Sequence, residues 1–292
     1  MRSRRPRPLR AALLLAAALT ALAPATAGAA DRTRTVTGGP VVVTASSPTA
    51  PGDDGGVRLT IARDGRELFD GGPRGSGCTF EGRNSCVLPQ WDEDASSVVV
   101  RDLDGDGEPE VLVTQFTGGA HCCVSATVLR LQRDAAGTPT GYRQSVRATQ
   151  SEGFTLRTIG GRPVLVTGDI RFEDRWTSHA ESFVPVVVLR FAGEQGFVDV
   201  TGEHLDLVRR ERAEARRLLT RMLRTHEADA RGVAGAWAAD GYRLGLRTST
   251  LRTLRAWADR RRLVPARRGG TVASNRAFVR SLDRTLRRYG YR

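Results

Sequence analysis

The chain has 292 residues, and because 40% of them are hydrophobic the composition excludes a wholly disordered protein. Its positive charge is carried by arginine alone, and the net charge of +13 on its own would suggest a nucleic-acid-binding protein. The charge is unevenly placed, however, because residues 31–200 hold 17 arginines against 23 acidic residues, whereas residues 201–292 hold 23 arginines against nine.

The first thirty residues have the layout of a secretory signal peptide. Five arginines precede an apolar run of thirteen residues, Ala11 to Ala23, and small residues follow at 27–29. This arrangement predicts cleavage near Ala29 or Ala30. The run is shorter than the roughly 20 apolar residues that span a bilayer, although a retained N-terminal anchor is the alternative. We therefore predict a secreted or extracytoplasmic protein with no membrane span in its mature form, which argues against nucleic acid as a partner.

A β-rich domain is predicted at 57–200, after a flexible leading segment at 31–56. The leading segment is rich in Thr, Ser, Pro and Gly, and its one apolar patch, Val41–Val43, predicts an edge strand. Two short runs around Asp64-Gly65 predict a hairpin. Further strands are predicted at 97–100, 110–116, 126–131 and 183–191.

An acidic turn separates two of these strands. In the stretch Asp102-Leu103-Asp104-Gly105-Asp106-Gly107-Glu108-Pro109-Glu110, every odd position is acidic, and the carboxylates at the first, third, fifth and ninth positions are the candidate side-chain ligands. Calcium takes six to eight oxygen ligands at about 2.3–2.6 Å, and glycine permits the sharp turn that wraps them around the ion. We predict that Asp102, Asp104, Asp106 and Glu110 offer side-chain oxygens to Ca²⁺ and that Glu108 offers its backbone carbonyl. The alternative is an Asp-Gly hairpin without a metal.

The turn differs from an EF-hand, because its twelfth position is Val113 and because strands flank it. The Asp102–Glu110 stretch with its apolar flanks resembles the FG-GAP/VCBS-type calcium loop of integrin α-chain propellers and of many secreted bacterial proteins. The Thr117–Cys123 segment resembles one in secreted actinobacterial proteins of unknown function. The first resemblance implies a calcium loop between strands of a propeller blade. The second implies an exported architecture over about residues 57–290, without an activity.

A second copy of the turn is predicted at Arg157–Thr167, where Pro163 lies 54 positions after Pro109. A period near 50 residues is typical of a four-stranded propeller blade. This copy lacks the acidic ligands. The nearby Asp169, Glu173 and Asp174 are predicted to form a solvated acidic loop. The β-rich domain has room for two or three blades, fewer than the four of a complete propeller.

Four cysteines, an even number, belong to a chain bound for an oxidising compartment. We predict that Cys78, Cys86, Cys122 and Cys123 form two disulfides. Of the three connectivities, the one that joins the neighbours Cys122 and Cys123 closes a strained ring, so we favour pairing of the 78/86 pair with the 122/123 pair. Export also argues against a catalytic thiol beside His121.

From residue 201 the apolar period changes to a helical one, which predicts an Arg-rich α-helical domain over 201–292. The first helix carries Leu205 to Met222, with Glu211 and Arg216 as an acid–base pair on its exposed face. Three further helices are predicted at Arg231–Leu244, Ser249–Leu263 and Ser274–Tyr289. The arginines either contact anionic envelope polymers or a membrane surface, dock on the protein's own acidic region, or are solvated.

The function predicted is that of an exported, non-catalytic, calcium-binding module in binding or adhesion at the cell envelope. Its fold class is mainly β, with propeller-blade-like antiparallel sheets followed by an α-helical C-terminal region, and its partner is an unidentified envelope or extracellular ligand. The sequence shows no Ser elbow, phosphate loop, dinucleotide fingerprint or metalloprotease helix. The alternative is an extracytoplasmic hydrolase, with carboxylates drawn from Asp92, Glu93, Asp94, Glu173 and Asp174. A pocket lined by two carboxylates outside residues 102–110 would favour it.

Overall fold

The structure, a computed structural model, describes residues 32–48, 56–75, 78–80, 83–89, 97–119, 122–148, 153–225, 229–264 and 268–292. The predicted signal peptide, His121 and the stretch Asp92–Asp94 lie outside the described residues. The described chain forms a β-rich region followed by four helices, in agreement with the change of apolar period near residue 201.

Three four-stranded antiparallel sheets make up the β-rich region, and strands adjacent in each sheet are consecutive in the sequence. The first sheet holds β1 (Arg32–Gly38), β2 (Val41–Ser47), β3 (Arg58–Arg63) and β4 (Arg66–Gly71). A short hairpin follows, with β5 (Thr79–Phe80) and β6 (Arg83–Asn84). The second sheet holds β7 (Val98–Arg101), β8 (Glu110–Gly119), β9 (Cys122–Arg133) and β10 (Pro139–Ala148). The third holds β11 (Thr155–Ile159), β12 (Arg162–Gly168), β13 (Val186–Phe191) and β14 (Phe197–Asp199).

The second sheet lies between the first and the third and is buried on both faces. Val111 and Val113 of β8 pack on one face against apolar residues of the first sheet. Leu112 between them packs on the other face against Leu165 and Leu189 of the third sheet. Neighbouring side chains point to opposite faces because side chains alternate along a strand with a period of two residues. This alternation explains why Val111–Val113 of β8 form a continuous apolar run, since neither face of the strand meets water there.

The β-rich region begins earlier than predicted, at Arg32 in place of residue 57. The stretch predicted as a flexible leading segment contains β1 and β2, and β2 pairs with β3. Its residues Val41, Val43 and Ala45 are fully buried. A proline lies at the start of the second strand of each sheet: Pro40 before β2, Pro109 before β8 and Pro163 in β12. An apolar run follows Pro40, as in Pro40-Val41-Val42-Val43-Thr44. The repeat itself stays a prediction.

The disulfide pairing predicted across the two cysteine pairs is wrong for the first pair. Cys78 is bonded to Cys86, and their Cα atoms lie 4.9 Å apart. The hairpin of β5 and β6 lies between them, and it brings its two ends together. A bridge over such a short loop stabilises by roughly 2.5 kcal/mol in the chain-entropy model, less than the longer loops expected from cross-pairing. Cys122 and Cys123 belong to β9, and their side chains lie outside the part of the structure that is described.

Four helices form the C-terminal region, close to their predicted positions: α1 (Leu205–Thr225), α2 (Arg231–Arg243), α3 (Arg247–Asp259) and α4 (Val272–Arg288). The central helix α2 is buried from Gly232 to Tyr242. A side chain at Gly235 would meet Trp176, because its Cβ would lie 2.5 Å from Cζ3 of the indole. Gly290, with a φ of 88°, ends α4 as predicted.

The segment between β12 and β13 joins the sheets to the helices. Asp169, predicted to be solvated, is in fact buried. Its carboxylate is satisfied there by hydrogen bonds from Arg171 Nε at 2.8 Å and from Tyr291 Oη at 2.9 Å. Phe172 next to it packs edge-on against Trp176 and Tyr289. The β13 face packs on α1 through Val188 and further apolar residues.

The basic helices attach to the rest of the molecule chiefly through apolar packing. Among the described ion pairs, those of the acidic turn lead to arginines of the strands: Arg63, Arg130 and Arg133. Among the described residues, no arginine of the helical region pairs with that turn. Docking on the acidic region as a whole was the alternative considered for the arginines, and Arg268 makes one such contact, an ion pair with Glu181 at 3.0 Å. Within the same residues, no helix is both long and apolar enough to cross a membrane.

Candidate metal centre

The predicted calcium turn connects β7 to β8 at the edge of the second sheet. Asp102, Asp104 and Asp106 each place a carboxylate oxygen within 4.8 Å of those of the other two. Gly105 and Gly107 have φ angles of 87° and 88°, in the left-handed region that glycine adopts without steric cost. These two glycines turn the chain back on itself, so that carboxylates at alternate positions converge on one point.

The turn is held by its own backbone amides. Asp102 accepts hydrogen bonds from the N–H of Gly105 at 2.7 Å and of Gly107 at 3.0 Å. Asp106 N–H donates to Asp104 at 3.1 Å, and Glu108 N–H donates to Asp106 at 2.8 Å. Each carboxylate oxygen has a second lone pair, so these bonds orient the aspartates without exhausting their capacity to bind a cation. The cluster of Asp102, Asp104 and Asp106 can therefore hold a metal ion.

Glu110, the first residue of β8, is the buried acid of the site. Its side chain is only 1% exposed. One oxygen, Oε2, accepts the N–H of Leu103 at 2.7 Å, but Oε1 is buried without a hydrogen-bond partner. Burial, together with the three aspartates, raises the pKa of Glu110 to about 8. A buried carboxyl oxygen that accepts no hydrogen bond, beside three other acids, is costly, and a bound cation would remove that cost.

Arg130 of β9 provides the positive charge that faces this cluster. Its guanidinium lies 3.2 Å from Asp104 Oδ2, 2.8 Å from Asp106 Oδ2 and 3.8 Å from Glu110 Oε1. It also donates to Glu194 at 3.0 Å. Sequence reasoning missed Arg130, although a single arginine within the apolar run Val128–Leu131 was a usable signal.

Glu108 takes a different position from the other acids. Its carboxylate pairs with Arg63 Nε at 2.9 Å and with Arg133 Nη2 at 2.7 Å, on the outer side of the turn. Its proposed role as a backbone-carbonyl ligand stays a prediction. The structure thus brings together three of the five predicted ligands, places the buried Glu110 beside them, and uses the side chain of Glu108 for ion pairs.

A second concave site lies between the third sheet and α1. This cleft, of about 410 Å³, is lined by two carboxylates, Glu173 and Glu211, and by His179. The imidazole Nδ1 of His179 lies 3.1 Å from the carboxylate of Asp174. Burial, and next the charge of Glu214, raises the pKa of Glu211. The pairing of Glu211 with Arg216 on an exposed helix face is therefore wrong, because Glu211 lines this cleft.

Comparison of the chain with protein-family models, with curated proteins and with solved structures finds no match. The resemblance of the acidic turn to FG-GAP/VCBS loops therefore rests on its own residues, and the geometry of the described sites is the basis for any functional assignment.

Proposed function

We propose that this chain is an exported, non-catalytic module that binds calcium in the turn Asp102–Glu110. The observation that carries the proposal is Glu110, a buried acid with an oxygen that accepts no hydrogen bond, beside three converging aspartates. The carboxylates of Asp102, Asp104 and Asp106 repel one another, and a divalent cation would offset that repulsion and favour the ionised form of Glu110. Calcium would then stabilise the folded protein, by an amount that grows with the logarithm of the calcium concentration above the Kd, since only the folded turn presents the ligands together.

The donor set favours calcium over other metals. All the ligands are oxygens, which excludes the sulfur-rich and nitrogen-rich sites that zinc and copper prefer. Three aspartates, Glu110, the backbone carbonyl of Glu108 and water would reach the six to eight oxygens of calcium. Magnesium requires a stricter octahedron and gives up its water reluctantly, so a flexible turn suits it less.

Arg130 acts in this proposal as the cation that the turn uses when calcium is absent. Its guanidinium contacts the same oxygens, Asp104 Oδ2 and Asp106 Oδ2, that face the site. Calcium and the guanidinium would repel each other at this distance, so binding would move Arg130 toward Glu194, which it already contacts. Arg130 therefore lowers the apparent affinity for calcium while it keeps the metal-free turn folded.

The envelope role follows from the architecture expected of an exported protein. The disulfide between Cys78 and Cys86 is compatible with an oxidising, extracytoplasmic compartment. We infer that the three antiparallel sheets are propeller-blade-like units, since their strands follow one another in order. In this proposal the module is retained by, or binds, an envelope or extracellular ligand, and calcium rigidifies the edge of its central sheet.

Replacing Asp104 by asparagine is expected to reduce the stabilisation by calcium. At a calcium concentration 100 times the Kd, the wild-type chain would gain about 2.7 kcal/mol of unfolding free energy relative to the metal-free state. D104N would gain less at the same calcium concentration, because a neutral amide oxygen replaces a charged ligand. The measurement is the melting temperature of each protein in saturating CaCl₂ and in EGTA, with MgCl₂ as a further condition that should have a smaller effect.

Two variants complete this experiment. Asp134 is the lone acid of the β9–β10 turn, where it accepts the N–H groups of Ala136 and Thr138. D134N makes the same chemical change in the same sheet and should keep the full calcium response. R130Q should enlarge the response, because it removes the competing charge. A wild-type melting temperature that is equal in CaCl₂ and EGTA would remove the calcium proposal.

A second candidate function, an extracytoplasmic hydrolase, is favoured by the cleft lined with Glu173 and Glu211. Hydrolysis of a glycosidic bond uses one carboxyl group that carries a proton and one that is ionised. The raised pKa of Glu211, caused first by burial, suits the proton-donating role. Glu173, which lines the same cleft from the segment after β12, would then be the second carboxylate.

For this candidate we expect turnover of chromogenic glycosides that falls by about 10²–10⁴-fold in E211Q and in E173Q. D206N is the control, because Asp206 lies on the same helix, is exposed, and does not line the cleft. Absence of turnover by the wild-type chain across glycosides of both anomeric forms, or equal turnover by E211Q and D206N, would argue against the hydrolase.

A further inference from the structure

A groove on the helical region collects three arginines on one face of α1. Arg209, Arg212 and Arg216 are spaced by three and four residues, so they project to the same side of the helix. They line a groove of about 470 Å³. Their neighbours in the sequence point elsewhere and have acidic partners: Arg210 pairs with Asp206 at 3.4 Å, and Arg217 pairs with Glu214 at 3.6 Å.

The three groove arginines have no such partner. Across the described residues, no ion pair joins Arg209, Arg212 or Arg216 to a carboxylate. Arg212 donates to the hydroxyl of Thr250 at 3.1 Å, and its Nε is buried without a hydrogen-bond partner. The carboxyl group whose charge acts on Arg212 is that of Asp240. Because burial raises the pKa of Asp240 to about 8, that carboxyl is largely protonated at neutral pH and compensates little.

Aromatic stacking holds two of these arginines in place. The guanidinium carbon of Arg212 lies 4.4 Å from the ring centroid of Trp237, and that of Arg216 lies 4.5 Å from the ring of Trp257. Burial lowers the pKa of both arginines. A guanidinium that stacks by its face keeps its N–H edge for an acceptor, and carboxylate and phosphate match that edge with two parallel hydrogen bonds. The groove therefore concentrates uncompensated positive charge in a partly water-excluded place.

The rest of the groove is apolar. Leu205, Leu244 and Leu246 line it beside the arginines. Leu246, at the turn between α2 and α3, is 41% exposed. Few large hydrophobic residues of the described chain are as exposed as this one. An inorganic anion would satisfy the arginines but would leave these leucines in water. A ligand with both an anionic head and a hydrocarbon body would satisfy both parts of the lining.

We propose that this groove is a binding site for a small amphiphilic anion, whose carboxylate or phosphate head pairs with Arg209, Arg212 and Arg216 and whose hydrocarbon body lies on Leu205, Leu244 and Leu246. The site is separate from the calcium turn and does not depend on it. Charge complementarity identifies the head, because uncompensated arginines require an anion, and the exposed leucines identify the body.

The test is calorimetric titration of the full chain with three probes below their micellar concentrations: dodecanoate, inorganic phosphate and the neutral dodecyl maltoside. We expect dodecanoate to bind at least tenfold more tightly than phosphate, and the maltoside to bind least. R209Q and R216Q should each weaken dodecanoate binding by about tenfold or more, since each loses a charge-assisted hydrogen bond. Both residues are exposed, and circular dichroism will show that the variants fold.

The adjacent arginines provide matched controls with the same change in net charge. R210Q and R217Q should bind dodecanoate within twofold of the wild-type chain. Leu246→Asn should weaken dodecanoate and leave phosphate unchanged. Equal losses in R216Q and R217Q would mean that general charge attracts the anion, and equal binding of dodecanoate and dodecyl maltoside would mean that only the apolar surface acts. Either result would overturn the proposal.

Discussion

Replacing Phe172 by alanine is expected to destabilise the protein by about 3–5 kcal/mol, the cost of removing a large aromatic side chain from a closed core. Phe172 is 1% exposed and belongs to the core of the helical region, although it precedes that region in the sequence by some thirty residues. Its ring packs edge-on against Trp176 at 5.3 Å, Tyr289 at 5.9 Å and Tyr291 at 5.7 Å. Few other atoms can fill the space that it leaves.

The measurement is the free energy of unfolding from urea titrations of wild type and F172A at one pH and a fixed calcium concentration. Phe69 of β4 provides the comparison, because it is only partly buried at the edge of another core. F69A should cost less than half as much as F172A. Equal costs would show that Phe172 is not the principal contact between the segment after β12 and the helices.

Replacing Asp240 by asparagine is expected to change the pH dependence of stability more than any other single substitution in the helical region. Asp240 is 1% exposed, Oδ1 has no hydrogen-bond partner, and Arg243 approaches it only to 4.0 Å. Burial raises its pKa from 3.8 to about 8. The folded state therefore binds a proton that the unfolded state releases. The contribution of Asp240 to the free energy of unfolding is therefore fully present below pH 3.8, the unfolded pKa, and is lost as the pH rises through about 8, the folded pKa.

The size of the effect follows from the shift, since each unit of pKa difference corresponds to about 1.4 kcal/mol. Between low pH and pH 9, the wild-type chain should lose up to about 5 kcal/mol that D240N retains. Burial also raises the pKa of Glu110 to about 8, so the informative quantity is the difference between wild type and D240N in the same buffer. Urea unfolding at several pH values from 3 to 9 would measure it.

Asp283 is a control, because folding lowers its pKa whereas folding raises the pKa of Asp240. Burial alone would raise the pKa of Asp283, but hydrogen bonds from Tyr242 and Arg247 outweigh burial and lower it. D283N should therefore lose stability relative to wild type above the unfolded pKa, and the difference should shrink as the pH falls.

Parallel stability curves for wild type and D240N would contradict the expectation for Asp240 and would mean that Arg212 and Arg243 keep Asp240 ionised.

Much of the secondary structure could be predicted because it depends on neighbours in the chain. The helices from Leu205 onward were found within a few residues of their predicted ends, since an apolar face repeats every three or four residues whatever it packs against. Errors came where composition misled. The segment at 31–56 was predicted to be flexible apart from an edge strand at Val41–Val43, yet it holds both β1 and β2. Threonine suits strands, and Val41 and Val43 are buried by the second sheet.

The calcium turn could be proposed from nine consecutive residues, because a metal site of this kind takes its ligands from one short loop. The arginine that faces these acids could not be predicted from the same residues. Arg130 lies 24 positions after Asp106 and contacts it only because β9 pairs with β8. The Glu173–Glu211 cleft required the same kind of information, since its two carboxylates come from a segment after the third sheet's second strand and from α1.

The sequence by itself therefore determined the four helices, several of the strands, the acidic turn and the division between an acidic and a basic part, since each is a property of local pattern. The tertiary structure alone decided which charges meet. It bonded Cys78 to Cys86, buried Asp169 against Tyr291 across 122 positions, and left Arg209, Arg212 and Arg216 together without a carboxylate. The physical reason is that pairing of distant side chains depends on how sheets and helices pack, and the spacing along one strand or helix contains no record of that packing.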